Sequence, residues 1–249
     1  MNRKALSNQI FMATSIYSAG NSAGKSIRRD LSFYDATIGK KAVMAVTGVM
    51  LFGFVLVHLV GNLQIFLPPD AKGIFKIDEY GKFLHSMPAL LWGARSVLIA
   101  AVMLHIWSSI SLARMQRRAR PTAYVKKNNA HSSYASRTMM LSGPIVACFI
   151  IYHLLHFTVG QVHPNFIETA VHHNVIRGLQ EWPAGIFYIV AMLLLGTHLY
   201  HGLWSMLQSL GVSHPRYTPL LKSFAKVFAF LIVVGNISIP ISILLGIVK

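Results

Sequence analysis

The stretch FYIVAMLLLGTHLYHGLWS, residues 187–205, holds no Asp, Glu, Lys or Arg, yet it holds two histidines, His198 and His201. As a helix rising ~1.5 Å per residue, it is long enough to cross a hydrocarbon core of ~30 Å. It therefore predicts a membrane-spanning helix. Lipid does not solvate an ionisable side chain, so the histidines within it ask for a function.

This stretch lies in an apolar run, Ala184–Leu210, which is the fourth of five. The others are Ala42–Phe66, Ala89–Ala113, Met139–Val162 and Val227–Val248. The expected fold is all-α, an integral membrane bundle of five transmembrane helices over residues 42–249, preceded by a basic segment, 1–41. Composition agrees, with 54% hydrophobic and 12% charged residues, against about 25% charged in soluble domains. Pro88 and Pro183 sit just before runs two and four, where a helix start tolerates proline. Pro144 is expected in the first turns of run three, and Pro240 is expected to kink run five. Gly48, Gly53, Gly61, Gly143, Gly196 and Gly202 read as close-packing positions that can also make room for a flat macrocycle.

The formal net charge of +16 is distributed as a membrane protein requires, which argues against nucleic acid as a partner. Of 23 Lys and Arg, 17 fall within residues 3–41, 114–137 and 216–226, accompanied only by Asp30 and Asp35. The opposite loops and the C-terminus balance Lys72, Lys76, Lys82, Arg177 and Lys249 against Asp70, Asp78, Glu79, Glu168 and Glu181. The positive-inside rule then places the N-terminus inside and the C-terminus outside, in the cytoplasmic (inner) membrane of a cell. The first 29 residues resemble an organelle targeting peptide in composition but are read as a cytoplasmic tail. Cys148 is the single cysteine, so neither an intrachain disulfide nor a Cys-ligated cluster is available.

Six histidines fall in or near the apolar runs: His58, His105, His153, His156, His198 and His201. Counting from the middle of each run puts His58 and His153 about 6 and 4 Å toward the outside, and His105 and His198 about 6 and 2 Å toward the inside. Two pairs at two depths, about 9 Å apart, suit two bis-histidine b-type haems. Zinc and copper sites want three or four clustered ligands, and no intramembrane carboxylate or second cysteine supplies them. His156 and His201 stand three residues after a proposed ligand, and each is an alternative ligand or a partner for a haem propionate. His85 and His163 are expected near the outer surface. His131, His172, His173 and His214 are expected on solvated loops.

At these positions the sequence resembles the cytochrome b membrane-anchor subunit of succinate dehydrogenase/fumarate reductase, in its five-helix, two-haem form. GFVLVHLVGNLQIF around His58, KFLHSMP before run two, the Phe187–Ser205 stretch around His198, and Gly143 ten residues before His153 carry the likeness. It covers about residues 33–245. It implies His58 with His153, and His105 with His198, as haem iron ligands, and adds Trp204 to Arg95, His156 and His201 as cofactor-binding residues. It also implies a flavoprotein subunit and an iron–sulfur subunit docked on the inner face, through arginines such as Arg117, Arg118 and Arg120, with membrane lipid around the bundle. Electrons would pass between succinate or fumarate on the flavoprotein and a membrane quinone, with menaquinone expected. Where some relatives carry a carboxylate beside the fourth-helix ligand, this chain has Leu195, Gly196 and Thr197.

No run carries an acid in its core, so quinone protons are expected to enter at a membrane surface. Glu79 and His85 are the candidate catalytic residues there, with Trp92 and Arg95 nearby. Arg95 is equally a partner for an outer haem propionate. The rival redox reading is the cytochrome b of another membrane dehydrogenase, such as a hydrogenase or formate dehydrogenase. The rival from a different class is a transporter with histidine proton relays.

Overall fold

A computed structural model describes residues 36–119, 134–212 and 214–249, with side chains omitted for 134–138. Arg120, His131 and the tail through Asp35 lie outside the described residues. Every regular element among the described residues is helical. Five helices are long and apolar enough to span a membrane: α1 (Thr37–Asn62), α3 (Pro88–Ala119), α4 (Tyr134–Phe157), α6 (Trp182–Ser209) and α7 (Thr218–Leu244). Two short helices join them, α2 (Lys76–His85) and α5 (Val171–Gln180). A helix satisfies its own backbone donors and acceptors, which lipid cannot do.

The long helices outrun the apolar stretches. α1 begins at Thr37, so Lys40 and Lys41 belong to its first turn, and α3 continues through Arg114, Arg117 and Arg118. The exposed Lys41, Arg114, Arg117 and Arg118 can reach the polar headgroups while their backbone stays helical. Pro88, Pro183 and Pro219 fall in the first turns of α3, α6 and α7. Pro144 lies deeper in its helix than the first turns expected of it. It lies ten residues inside α4, because the polar residues from Tyr134 onward are helical as well. It leaves the Met140 carbonyl without its usual donor. Pro240 interrupts α7 in the same way.

Antiparallel packing puts one end of the bundle at the start of α1 and α7 and the close of α3 and α6. We call this the basic end, since Lys40, Lys41, Arg114, Arg117, Arg118, Arg216, Lys222 and Lys226 gather there. The other end is closed by α2 and α5 and is called the capped end. α1 packs along α3, α4 along α6, and α6 along both α7 and α1. Gly196 sits where α6 meets α7, and a Cβ there would run into the Val233 side chain. Around this ring of helices, α1 and α4 stand diagonally opposite, as do α3 and α6. Among the described residues neither diagonal pair packs along its length.

The cap is a built structure. Asp78 of α2 accepts the backbone N–H of His172 at 2.8 Å, satisfying a donor in the first turn of α5 from a helix 94 residues away in sequence. His172 stacks on Phe75 with ring centroids 3.5 Å apart. Asn174 is buried, and its side chain brackets Ile167, accepting its N–H at 2.9 Å and donating to its carbonyl at 2.8 Å. His163 donates from Nε2 to the Asn174 carbonyl and accepts the Asn165 N–H at Nδ1. The expectation of a solvated His172 is therefore corrected, and His163 is likewise buried. α5 is a helix with one apolar face, and that face carries His172 into the cap, while His163 is held by its bonds to Asn174 and Asn165. His214 is exposed, as expected.

Candidate functional site: two histidine pairs across the bundle

The four principal histidines meet as two pairs, each across a diagonal. At the capped-end level, His58 of α1 and His153 of α4 have ring centroids 5.8 Å apart and planes at 89°. At the basic-end level, His105 of α3 and His198 of α6 have centroids 6.5 Å apart and planes at 57°. The rings approach between helices that do not pack on each other, so each pair spans a gap that backbone contact leaves open.

Glycines border these gaps. A Cβ on Gly48 would sit 3.7 Å from His105 Cε1, and one on Gly143 would sit 3.9 Å from His198 Cε1. Nothing lies within 4 Å of such an atom at Gly53. Gly61 is different, since its missing Cβ makes room for the Tyr80 ring.

The levels are farther apart than the apolar runs suggest. Gly48 lies level with His105, and His58 follows it by ten residues; Gly143 lies level with His198, and His153 follows it by ten. Ten residues of helix rise about 15 Å, rather than the 9 Å expected. The discrepancy comes from the helix ends. Measured from the middles of the full helices, His58 and His153 sit about 13 and 11 Å toward the capped end, and His105 and His198 only about 2 and 4 Å toward the basic end.

A hydroxyl accompanies one histidine of each pair. Thr47 donates to the Val43 carbonyl at 2.8 Å, which takes its only proton. Its oxygen lies 3.2 Å from His105 Nδ1; with the hydroxyl proton on backbone the oxygen accepts there, the arrangement that puts the ring proton on Nδ1 and leaves Nε2 a free lone pair. Tyr188 is buried beside two histidines, with its oxygen 3.3 Å from His153 Nδ1 and 3.1 Å from His156 Nδ1. His198 Nδ1 is buried and has no hydrogen-bond partner. A buried polar atom left unpaired costs about 1–3 kcal/mol, which fits a level completed by something besides protein.

These residues fit a haem at each level. With a metal–imidazole bond of about 2.0 Å, two rings on opposite sides of one metal have centroids about 6.3 Å apart, between the two separations observed. Among the described residues, no group of three or more His, Cys, Asp or Glu side chains is placed to hold a metal ion. Paired imidazoles facing a gap match axial ligation of a flat macrocycle better than a clustered ion site.

The remaining candidates fall elsewhere. His156 is fully buried and engaged with Tyr188 rather than with His58. His201 is half-buried and has no hydrogen-bond or ring partner among the described residues. Trp204 lies under the Lys222 ammonium, 5.1 Å from the ring centroid, and Arg95 covers Trp92 at the same distance. Glu79 forms an ion pair with Lys76 at 2.7 Å on α2, and His85 turns back on its own helix, with Nδ1 2.8 Å from the Gly81 carbonyl. Neither touches a histidine pair. A cavity of about 410 Å³ opens instead at the junction of α4, α5 and α6, lined by Tyr152, His156, Gln161, His163 and Glu181 among others. Sequence reading missed Thr47 and Tyr188. Their signal was a polar side chain in an apolar run, about ten residues from a histidine on the same helix.

No family model matches the chain, and neither do curated proteins or solved structures.

Proposed function

We propose that this chain is the dihaem membrane anchor of a succinate:quinone oxidoreductase, lying in a cytoplasmic membrane with its basic end inside. The reading rests chiefly on one observation: two histidine pairs, each spanning a diagonal gap, at two levels of one transmembrane bundle. His58 and His153 would hold one haem b, and His105 and His198 the other. When bound, such a group supplies a one-electron iron couple at each level.

The chain's own residues set the conditions for that couple. Thr47 fixes the tautomer of His105 so that Nε2 faces the gap. The packed α1–α3, α4–α6 and α1–α6 contacts hold ligands on four helices in fixed register. The basic end carries the described inner cations and suits an anionic partner surface or anionic lipid headgroups, each basic residue near the surface being worth about 1 kcal/mol toward the latter. A flavoprotein and an iron–sulfur subunit are the proposed partners there. The quinone belongs at the capped end, where Glu79 and His85 remain the proposed catalytic groups and Arg95 the proposed propionate partner.

Purification from membranes tests this. The expected result is co-purification of a flavoprotein and an iron–sulfur protein, with succinate reducing the b-type absorption bands. Bands reduced by hydrogen or formate, but not succinate, would assign the chain to another dehydrogenase. A colourless chain would leave the transporter reading.

A further inference from the structure

We infer that Tyr188 is a positioning residue that ties His153 to the wall of the capped-end cavity, whereas Thr47 locks His105 with no onward connection. The inference rests on the haem reading above and concerns what the two hydroxyls do differently.

The difference follows from proton counting. Thr47 has one proton and two backbone acceptors on its own helix, the Val43 carbonyl at 2.8 Å and the Met44 carbonyl at 3.2 Å. Its bond with His105 therefore ends in backbone, and nothing beyond responds to it. Tyr188 touches no carbonyl among the described residues; both of its hydrogen-bond partners are imidazole nitrogens. Its oxygen accepts from one and its proton goes to the other. If His153 binds metal through Nε2, its Nδ1 holds the ring proton and donates to Tyr188, whose own proton then goes to His156 Nδ1. The bonding runs from His153 through one hydroxyl to His156.

His156 is where this chain meets the cavity. It lines the space together with Tyr152, Gln161, His163 and Glu181. Its position is tightly held: a Cβ on Gly178 would come within 2.9 Å of His156 Nε2 and of His163 Nε2. His156 also lies against Phe157, with ring centroids 4.2 Å apart, and 5.1 Å from the His163 ring. A change in the cavity wall thus has a short bonded path to His153, and the hydrogen bonds give no equivalent path to His105 among the described residues. A ligand histidine's other N–H governs its orientation and donor strength, so the capped-end level alone should register events in the cavity.

Redox titration of each haem band and the low-spin electron paramagnetic resonance signals test this on the purified complex. Y188F removes only the hydroxyl. It should raise the capped-end potential and move that level's resonance, leaving the basic-end signals in place. His156→Leu should also move the capped-end signals, but should add no further shift once Y188F is present, the non-additivity expected of one connected path. T47V should move only the basic-end signals, with T47S restoring them. Unchanged capped-end signals in Y188F, or an equal His156→Leu shift with and without the hydroxyl, would overturn the inference. Should Y188F lose the capped-end cofactor, His156→Leu decides alone: a shift confined to the capped-end level supports the link, and no shift overturns it. A wild-type complex without two bis-histidine signals overturns the haem reading and this inference with it.

Discussion

The capped-end and basic-end levels each bring two histidines together, in different surroundings. His58 and His153 sit near a cavity, under short helices pinned by Asp78, Asn174 and His163. His105 and His198 sit close to mid-bundle, bordered by Gly48 and Gly143, with one ring bonded to Thr47 and the other left with an unpaired nitrogen. On the reading proposed above, the capped-end level would communicate with one membrane surface, and the basic-end level would be held still in the interior. The two should therefore separate cleanly under mutation.

The largest expected effect is loss of one level at a time. His58→Ala or His153→Ala should abolish the capped-end haem signal and spare most of the other; His105→Ala or His198→Ala should do the reverse. Difference spectra of the purified variants measure this. If His156→Ala or His201→Ala empties a level while its neighbour's substitution does not, the ligand assignment moves to that residue.

Filling a gap should come next. Gly143→Leu places a branched side chain where even a Cβ already meets the His198 ring at van der Waals distance. It should reduce basic-end haem content several-fold with little effect at the capped end. Full content at both levels would show that the gap beside Gly143 is not where the macrocycle lies.

A smaller effect is expected in the cap. Asn174→Ala removes two buried hydrogen bonds to Ile167 and should cost about 2 kcal/mol locally. Faster amide exchange in α5 and residues 163–170, with the basic-end helices unaltered, is the expected reading. Equal acceleration throughout would mean the two ends are not independent.

The smallest effect is a pH dependence of the same cap. Burial lowers the pKa of His172 below its ordinary 6.5, and the Asp78 carboxylate only partly opposes this. The unfolded cap binds the proton more readily, so the stability from a neutral His172 is complete above pH 6.5 and is lost as pH falls below it. Protection of α5 amides, taken relative to their intrinsic exchange rates, should fall between pH 7.5 and 5.5, and His172→Phe, which keeps a ring over Phe75, should flatten that fall.

The spanning helices were legible because a run such as residues 187–205 admits no other solution in lipid, and the pairing of histidines was legible from their depths alone. The separation of the two levels was underestimated, about 9 Å against about 15 Å. Charged turns at Thr37–Lys41 and Arg114–Ala119 are helical without being apolar, so the apolar stretch marks the lipid rather than the helix. The cap was illegible for a related reason. α2 and α5 are ten-residue amphipathic helices whose burial of His172 and Asn174 depends on each other across 94 residues of chain. Thr47 and Tyr188 became significant only once the fold brought α1 beside α3 and α6 beside α4.

The haem content of the purified wild-type chain, measured as pyridine haemochrome per mole of polypeptide, tests the central claim most directly. Two haem b per chain is the predicted result, one for each histidine pair. A folded, helical chain that carries none would contradict the account.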